Sequence, residues 1–182
     1  MLSQLKEGYK KMPLLVKQLV VRVVLLITTW MLLYHLVLQP YRIPDRWLSN
    51  VTASATSKLI SVWYQQPTAL VEKLNGTGIL LNNRRVLFIA YNCDALELYL
   101  MYVGFLFCIP TSPKKFILYA TVGVTGIFIL NVLRCFVLVL LNFNKPEWFG
   151  FAHHYAFTLV VYAFIFSGWY QYTKKIMRPD VT

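Results

Sequence analysis

Three kinds of side chain suited to acyl transfer fall at the same end of three apolar stretches: Cys93, Arg134 and the pair His153–His154. A thiol attacks a carbonyl, an imidazole carries its proton to the leaving amine, and a guanidinium holds the oxyanion between. Cys93 opens an apolar run, so it is expected at a helix N-terminus, where unpaired N–H groups and the helix dipole favour a thiolate. Asp94 and Glu97 oppose this with negative charge, and they read equally well as first-turn caps. Taken alone, Cys93 reads just as readily as a small apolar filler, like Cys108 and Cys135.

Arg134 adds weight. It lies within an apolar stretch, about 10 Å short of its end at 1.5 Å per residue. An arginine there costs several kcal/mol unless it snorkels, pairs or faces a polar cavity. Asn131, one turn earlier, is placed to support it. The plain alternative is an ion pair with Glu97 or Asp94. Adjacent helical residues point about 100° apart, so only one of His153 and His154 faces such a site. His35, between Tyr34 and Leu36, reads as structural or interfacial. No phosphate loop, zinc spacing or nucleic-acid motif accompanies these residues, so no metal, cofactor or nucleic acid is expected.

The elements that must position them are membrane helices. The chain of 182 residues is 58% hydrophobic, 16% aromatic and only 14% charged, where soluble domains carry about 25% charge. Its mean hydropathy is +0.54. The net charge of +11 comes from Lys and Arg clustered beside apolar runs. That pattern signals topology and attraction to anionic lipid. Cys93 and Cys108 stand about 22 Å apart on one helix at 1.5 Å per residue, too far to bridge. The first apolar run lacks a cleavage pattern and reads as a span in place of a signal peptide.

The expected fold is an all-α integral membrane protein, one polytopic domain over 1–182, with about four spans of roughly 20 residues. These run from Leu19 to Leu38, Cys93 to Ile109–Pro110, Phe116 to about Leu141, and about His153 to Tyr172. Lys6, Lys10, Lys11 and Lys17 precede the first span and Arg22 stands in its first turn. Lys114 and Lys115 separate the second and third, and Lys174, Lys175 and Arg178 follow the fourth. The positive-inside rule puts these clusters in the cytoplasm, with the basic N-terminus 1–22 and tail 173–182 inside. Cys93 and both histidines then face outward. The outer loop, 40–92, should carry an amphipathic interfacial helix with Val51, Ala55, Leu59 and Val62 on its apolar stripe. A short β-hairpin from Ile79 to Ile89 around Asn82-Asn83 should then lead into Asn92-Cys93 and the helical core 93–172.

The order of these pieces resembles the exosortase/archaeosortase family of membrane transpeptidases. The resemblance rests on Tyr91-Asn92-Cys93-Asp94-Ala95-Leu96, Asn131-Val132-Leu133-Arg134 and His153-His154-Tyr155-Ala156-Phe157-Thr158. It covers about residues 75–172 and looks most like the compact exosortase F group. Asp94-Ala95 replaces the Ser-Gly or Ala-Gly that often follows the family cysteine. The family histidine is commonly followed four residues later by a small residue. Thr158 stands four after His154 and bulky Phe157 four after His153, which points to His154.

The resemblance implies a bacterial inner-membrane enzyme acting on membrane-anchored proteins that end in a short motif, a transmembrane helix and a basic tail. Cys93 would form the thioester, Arg134 would stabilise the oxyanion and His154 would move the proton. An amine or water would take the acyl group. Two rivals share the composition: a non-enzymatic scaffold locked by an Arg134–Glu97 pair, and a small transporter subunit with Arg134 on an anion path.

Overall fold

The structure is a computed structural model that describes residues 14–38, 43–93, 95–109 and 111–174. The basic residues before Leu14, Asp94 and the tail beyond Lys174 lie outside them. Helix α1 (Leu14–Leu33) runs into a wide π turn at Tyr34–Leu38. Helix α2 (Ile43–Tyr64) follows, with Asp45 in its first turn. Strands β1 (Thr68–Lys73), β2 (Gly76–Leu81) and β3 (Arg84–Ala90) form an antiparallel meander in the order β1-β2-β3. The expected hairpin is present as β2 and β3, and β1 is a third strand. After a 3₁₀ turn at Tyr91–Cys93 come α3 (Leu96–Cys108) and α4 (Pro113–Asn144). Short turns and a π turn at Ala152–Ala156 lead into α5 (Phe157–Lys174).

Local chemistry explains the sheet. Asn82 and Asn83 take φ of 50° and 62°, the two left-handed positions of a two-residue hairpin turn that Asn tolerates best. At Gly76 a Cβ would meet the Ile89 carbonyl oxygen at 2.1 Å, so only glycine lets β2 start there. The pairing of Ile79 with Leu87 and of Leu80 with Arg85 leaves Val86 as a bulge in β3, bending the strand that leads to Cys93.

Helix α2 packs on the sheet with the face opposite its apolar stripe, so that the stripe stays outward. Ser49, Thr52, Ala53, Thr56, Ser57 and Ile60 are buried, while Leu59 and Val62 are exposed at 40% and 77%. Small hydroxyl residues allow close backbone approach and supply hydrogen bonds to the strands. The larger apolar groups are left pointing outward, where lipid would meet them. Ser49 Oγ donates to the Ile89 carbonyl at 3.3 Å, and the Ser57 and Thr68 hydroxyls lie 2.8 Å apart. Arg46 grips Glu72 with two N–H groups, and Asn50 Nδ2 donates to the same carboxylate at 3.2 Å. Arg46 holds the Glu72 carboxyl below the usual carboxylate range, assisted by Asn50.

Two apolar cores share α4. One joins Ile79, Val86, Leu87 and Ile89 of the sheet to Cys135, Leu138 and Val139. The other joins Tyr102 and Leu106 of α3 to Ile127 of α4 and to Val161 and Ile165 of α5. Tyr102 fits against Gly123 and Gly168, and its hydroxyl donates to the Tyr119 carbonyl at 3.1 Å. Arg134 sits on α4 between Ile127 and Cys135, at the junction of these cores.

Among the described residues, two helices are long and apolar enough to cross a membrane: Pro113–Asn144 and the run Pro146–Lys174. Helix α3 has 13 residues and extends only about 20 Å, short of a hydrocarbon core about 30 Å thick. If Phe116 marks the first residue in that core, Arg134 lies about 27 Å along α4, close to the far boundary. The rest of α4 continues into the sheet.

Candidate active site

Cys93 closes the 3₁₀ turn after β3, and Ala95 follows in a left-handed conformation with φ 69° before α3 begins at Leu96. The cysteine is thus outside the first turn of α3, and the expected stabilisation by that helix's N–H groups is not built in. The bulged strand β3 and its turn position it instead. Cys93 is half-buried and unbridged.

Arg134 reaches the same place from α4. A cavity of about 50 Å³ is lined by Cys93, Arg134 and His153, with Cys135, Phe149 and Phe88 in its wall. A water takes about 30 Å³ of liquid volume, so the space suits a small polar group or a water. A second cavity of about 90 Å³ shares Cys93 and Arg134 and adds Tyr34, Asp45, Tyr91 and Glu97. Cys93 and Arg134 therefore line two adjoining spaces, one with the imidazole and one with carboxylates.

Arg134 Nη2 lies 3.1 Å from His153 Nε2. A guanidinium only donates, so Nε2 accepts and the neutral ring carries its proton on Nδ1. Phe149 stacks on the imidazole with centroids 6.1 Å apart and planes 7° apart, fixing its orientation. The guanidinium has further N–H groups for another acceptor.

His154, the histidine favoured by the sequence, is exposed and lines a separate groove with Tyr155, Thr158, Leu159 and Phe166. Neither Cys93 nor Arg134 borders that groove. Asn131 is buried at 3% on α4 and lines neither cavity. Among the described residues no carboxylate reaches ion-pair distance of Arg134, and the ion pair present joins Arg46 to Glu72. The Arg134–Glu97 lock on which the scaffold reading depends is absent.

Asp45 borders the candidate site, and sequence reasoning passed over it. It is 2% exposed, and it borders the cavity shared by Cys93 and Arg134. In sequence it is one acid in the first turn of an amphipathic helix, which reads simply as a partner for the helix dipole.

An apolar helical bundle topped by a small sheet, with a thiol, a guanidinium and an imidazole around one cavity, defines a membrane protein with an internal polar site. The chain belongs to the transmembrane exosortase family (Exosortase_EpsH), whose model matches residues 14–169. At the level of the family it is a membrane transpeptidase or protease. No curated protein and no solved structure matches the chain.

Proposed function

We propose that this chain is a membrane cysteine transpeptidase that removes C-terminal sorting tails from membrane-anchored proteins, with Cys93 as nucleophile. The observation that carries this reading is the single cavity bordered by Cys93, Arg134 and His153. As sulfur bonds to the scissile carbonyl carbon, Arg134 turns its Nη2 N–H from His153 to the carbonyl oxygen, and the freed His153 Nε2 takes the thiol proton. Arg134 donates to the oxygen that becomes negative. Collapse breaks the C–N bond, the leaving amine takes the proton from His153, and a thioester remains on Cys93. An acceptor amine attacks next, giving a new amide and restoring the thiol; water in its place gives hydrolysis. His153 takes the role the family pattern suggested for His154, because it is the imidazole bonded to Arg134.

In this reading the chain crosses the bacterial inner membrane about four times, with α1 and α3 accompanying the two long helices and the bilayer thinning around the short α3. The site faces away from the cytoplasm. Arg22 Nη1 donates to the Cys108 carbonyl at 3.3 Å and Lys115 Nζ to the Tyr172 carbonyl at 2.8 Å, at the bundle end away from the sheet. Basic groups at that end support a cytoplasmic placement. The short chain and its Cys93-Asp94-Ala95-Leu96 run are in keeping with the compact exosortase F group.

The test is a profile of C-terminal peptides from exported proteins in the host cell. With Cys93→Ala, a set of proteins should keep an apolar, basic-ended tail that the wild type removes. Cys135→Ala, which alters the other thiol of the cavity, should leave processing intact. Identical profiles for wild type and Cys93→Ala would end this reading.

A further inference from the structure

A cavity of about 830 Å³ lies where the β1–β2 turn meets the start of α2 and the end of β3. Two of its walls are shared with the candidate site. Phe88 also borders the cavity of Cys93, Arg134 and His153, and Tyr91 also borders the second cavity of Cys93 and Arg134. Another wall is the β1–β2 turn itself, with Lys73, Leu74 and Asn75. That turn is fastened to the one that carries Cys93. The Tyr91 N–H donates to the Asn75 carbonyl at 3.1 Å, and the Tyr91 hydroxyl donates to the Lys73 carbonyl at 3.4 Å. Lys73 pairs with Gly76 and Gly76 with Ala90. From Lys73 to Ala90 is therefore two strand spacings, about 10 Å, which about three extended residues cross.

We propose that this cavity holds the segment of the anchored protein just ahead of its transmembrane helix, on the acyl side of the scissile bond. The inference rests on the transpeptidase reading and adds where the retained part of the substrate lies. The reaction brings three parts to Cys93: the acyl segment, the leaving tail and the acceptor amine. The charge of the cavity separates them. Arg46 and Lys73 border it against the carboxylate of Glu72, which already accepts from Arg46 and Asn50. This positive excess disfavours a basic-ended tail and a protonated amine. An apolar helix is disfavoured too, because it would strip water from Lys73 without offering an acceptor. An extended segment offers main-chain carbonyls, to which Lys73 and the remaining N–H groups of Arg46 donate. The acyl segment is also the part that stays joined to sulfur while the tail leaves and the amine enters, so it needs a hold of its own beside the thiol.

The test puts photoreactive p-benzoylphenylalanine in place of Leu74, which is 96% exposed at the tip of the turn, so the core is left intact. The control puts it in place of Leu159, 71% exposed in the groove beside His154. Both are made in Cys93→Ala, which keeps substrates whole, and cells are irradiated before the adducts are mapped by mass spectrometry. The probe at Leu74 should capture proteins that end in an apolar helix and a basic tail, with the adduct within about six residues ahead of that helix. The probe at Leu159 should give only background on that segment. Lys73→Met, which keeps the stem and removes the donor, should lower the Leu74 yield roughly three- to tenfold. Adducts on the helix or tail, equal capture from both positions, or adducts only to phospholipid or a second copy of this chain would overturn the proposal. The two readings fail separately. Adducts ahead of the helix in proteins that the wild type leaves whole would keep the role of the cavity and end the catalytic reading. Tails removed by the wild type with no adduct from Leu74 would do the opposite.

Discussion

His153 and His154 are adjacent, yet they stand in different places, and the proposed roles predict a difference of definite size. His153 Nε2 is 3.1 Å from Arg134 Nη2 and shares a cavity with Cys93. His154 is exposed on a separate groove. General acid–base transfer contributes about 10²–10⁴ in rate, or about 3–5 kcal/mol at 1.36 kcal/mol per factor of ten. His153→Ala should therefore slow tail removal at least a hundredfold. His154→Ala is a surface change worth about 0.5 kcal/mol at most, or roughly twofold. His153→Gln separates proton transfer from positioning, because an amide oxygen can still accept from Arg134 but cannot shuttle a proton. It should be as slow as His153→Ala. The assay is pulse-chase of a tail-bearing protein found by peptide profiling, with membrane levels of each variant matched. A dead His154→Ala beside an active His153→Ala would refute the assignment. Recovery by His153→Gln would reduce His153 to a positioning residue.

Two further outcomes follow from the same contacts. Arg134→Lys keeps the charge but loses the two-pronged donation, so turnover should fall about 10²–10³-fold, as for loss of an oxyanion donor; near-normal turnover in the folded variant would leave Arg134 only a structural role. The Glu72 carboxyl is held below its ordinary range by Arg46 and Asn50, so its latch between α2 and the sheet contributes fully above about pH 4.3 and is lost as pH falls through the depressed value. Protease protection of residues 43–90 should therefore weaken in acid, and Glu72→Gln should remove that acid-dependent step.

Much of this was legible in the sequence where local chemistry decides the outcome. Asn82-Asn83 marked the β2–β3 turn because few residues accept two left-handed positions. Length and apolarity marked α4. The α2 stripe was legible as a shared apolar face, but its spacing could not report that a sheet covers the other face, hydrogen-bonding to Ser49 and Ser57. The start of α3 was placed three residues early because the left-handed Ala95 is a residue type that seldom signals such a conformation. The histidine preference followed the size of Thr158, whereas the placement of His153 beside Arg134 follows from the π turn and the Phe149 stack, which neighbour size cannot report. Asp45 comes to border the candidate site only through the fold.

The central claim is that Cys93 forms a covalent acyl intermediate, and intact mass spectrometry of the purified protein with a tail-bearing substrate tests it most directly. With no acceptor amine present, the wild type should gain the mass of the substrate's acyl portion on Cys93. Hydroxylamine should remove it, since a thioester yields and an amide does not. Cys135→Ala should show the same adduct and Cys93→Ala none. Tail removal by Cys93→Ala, or an adduct on Cys135 in its place, would contradict the account.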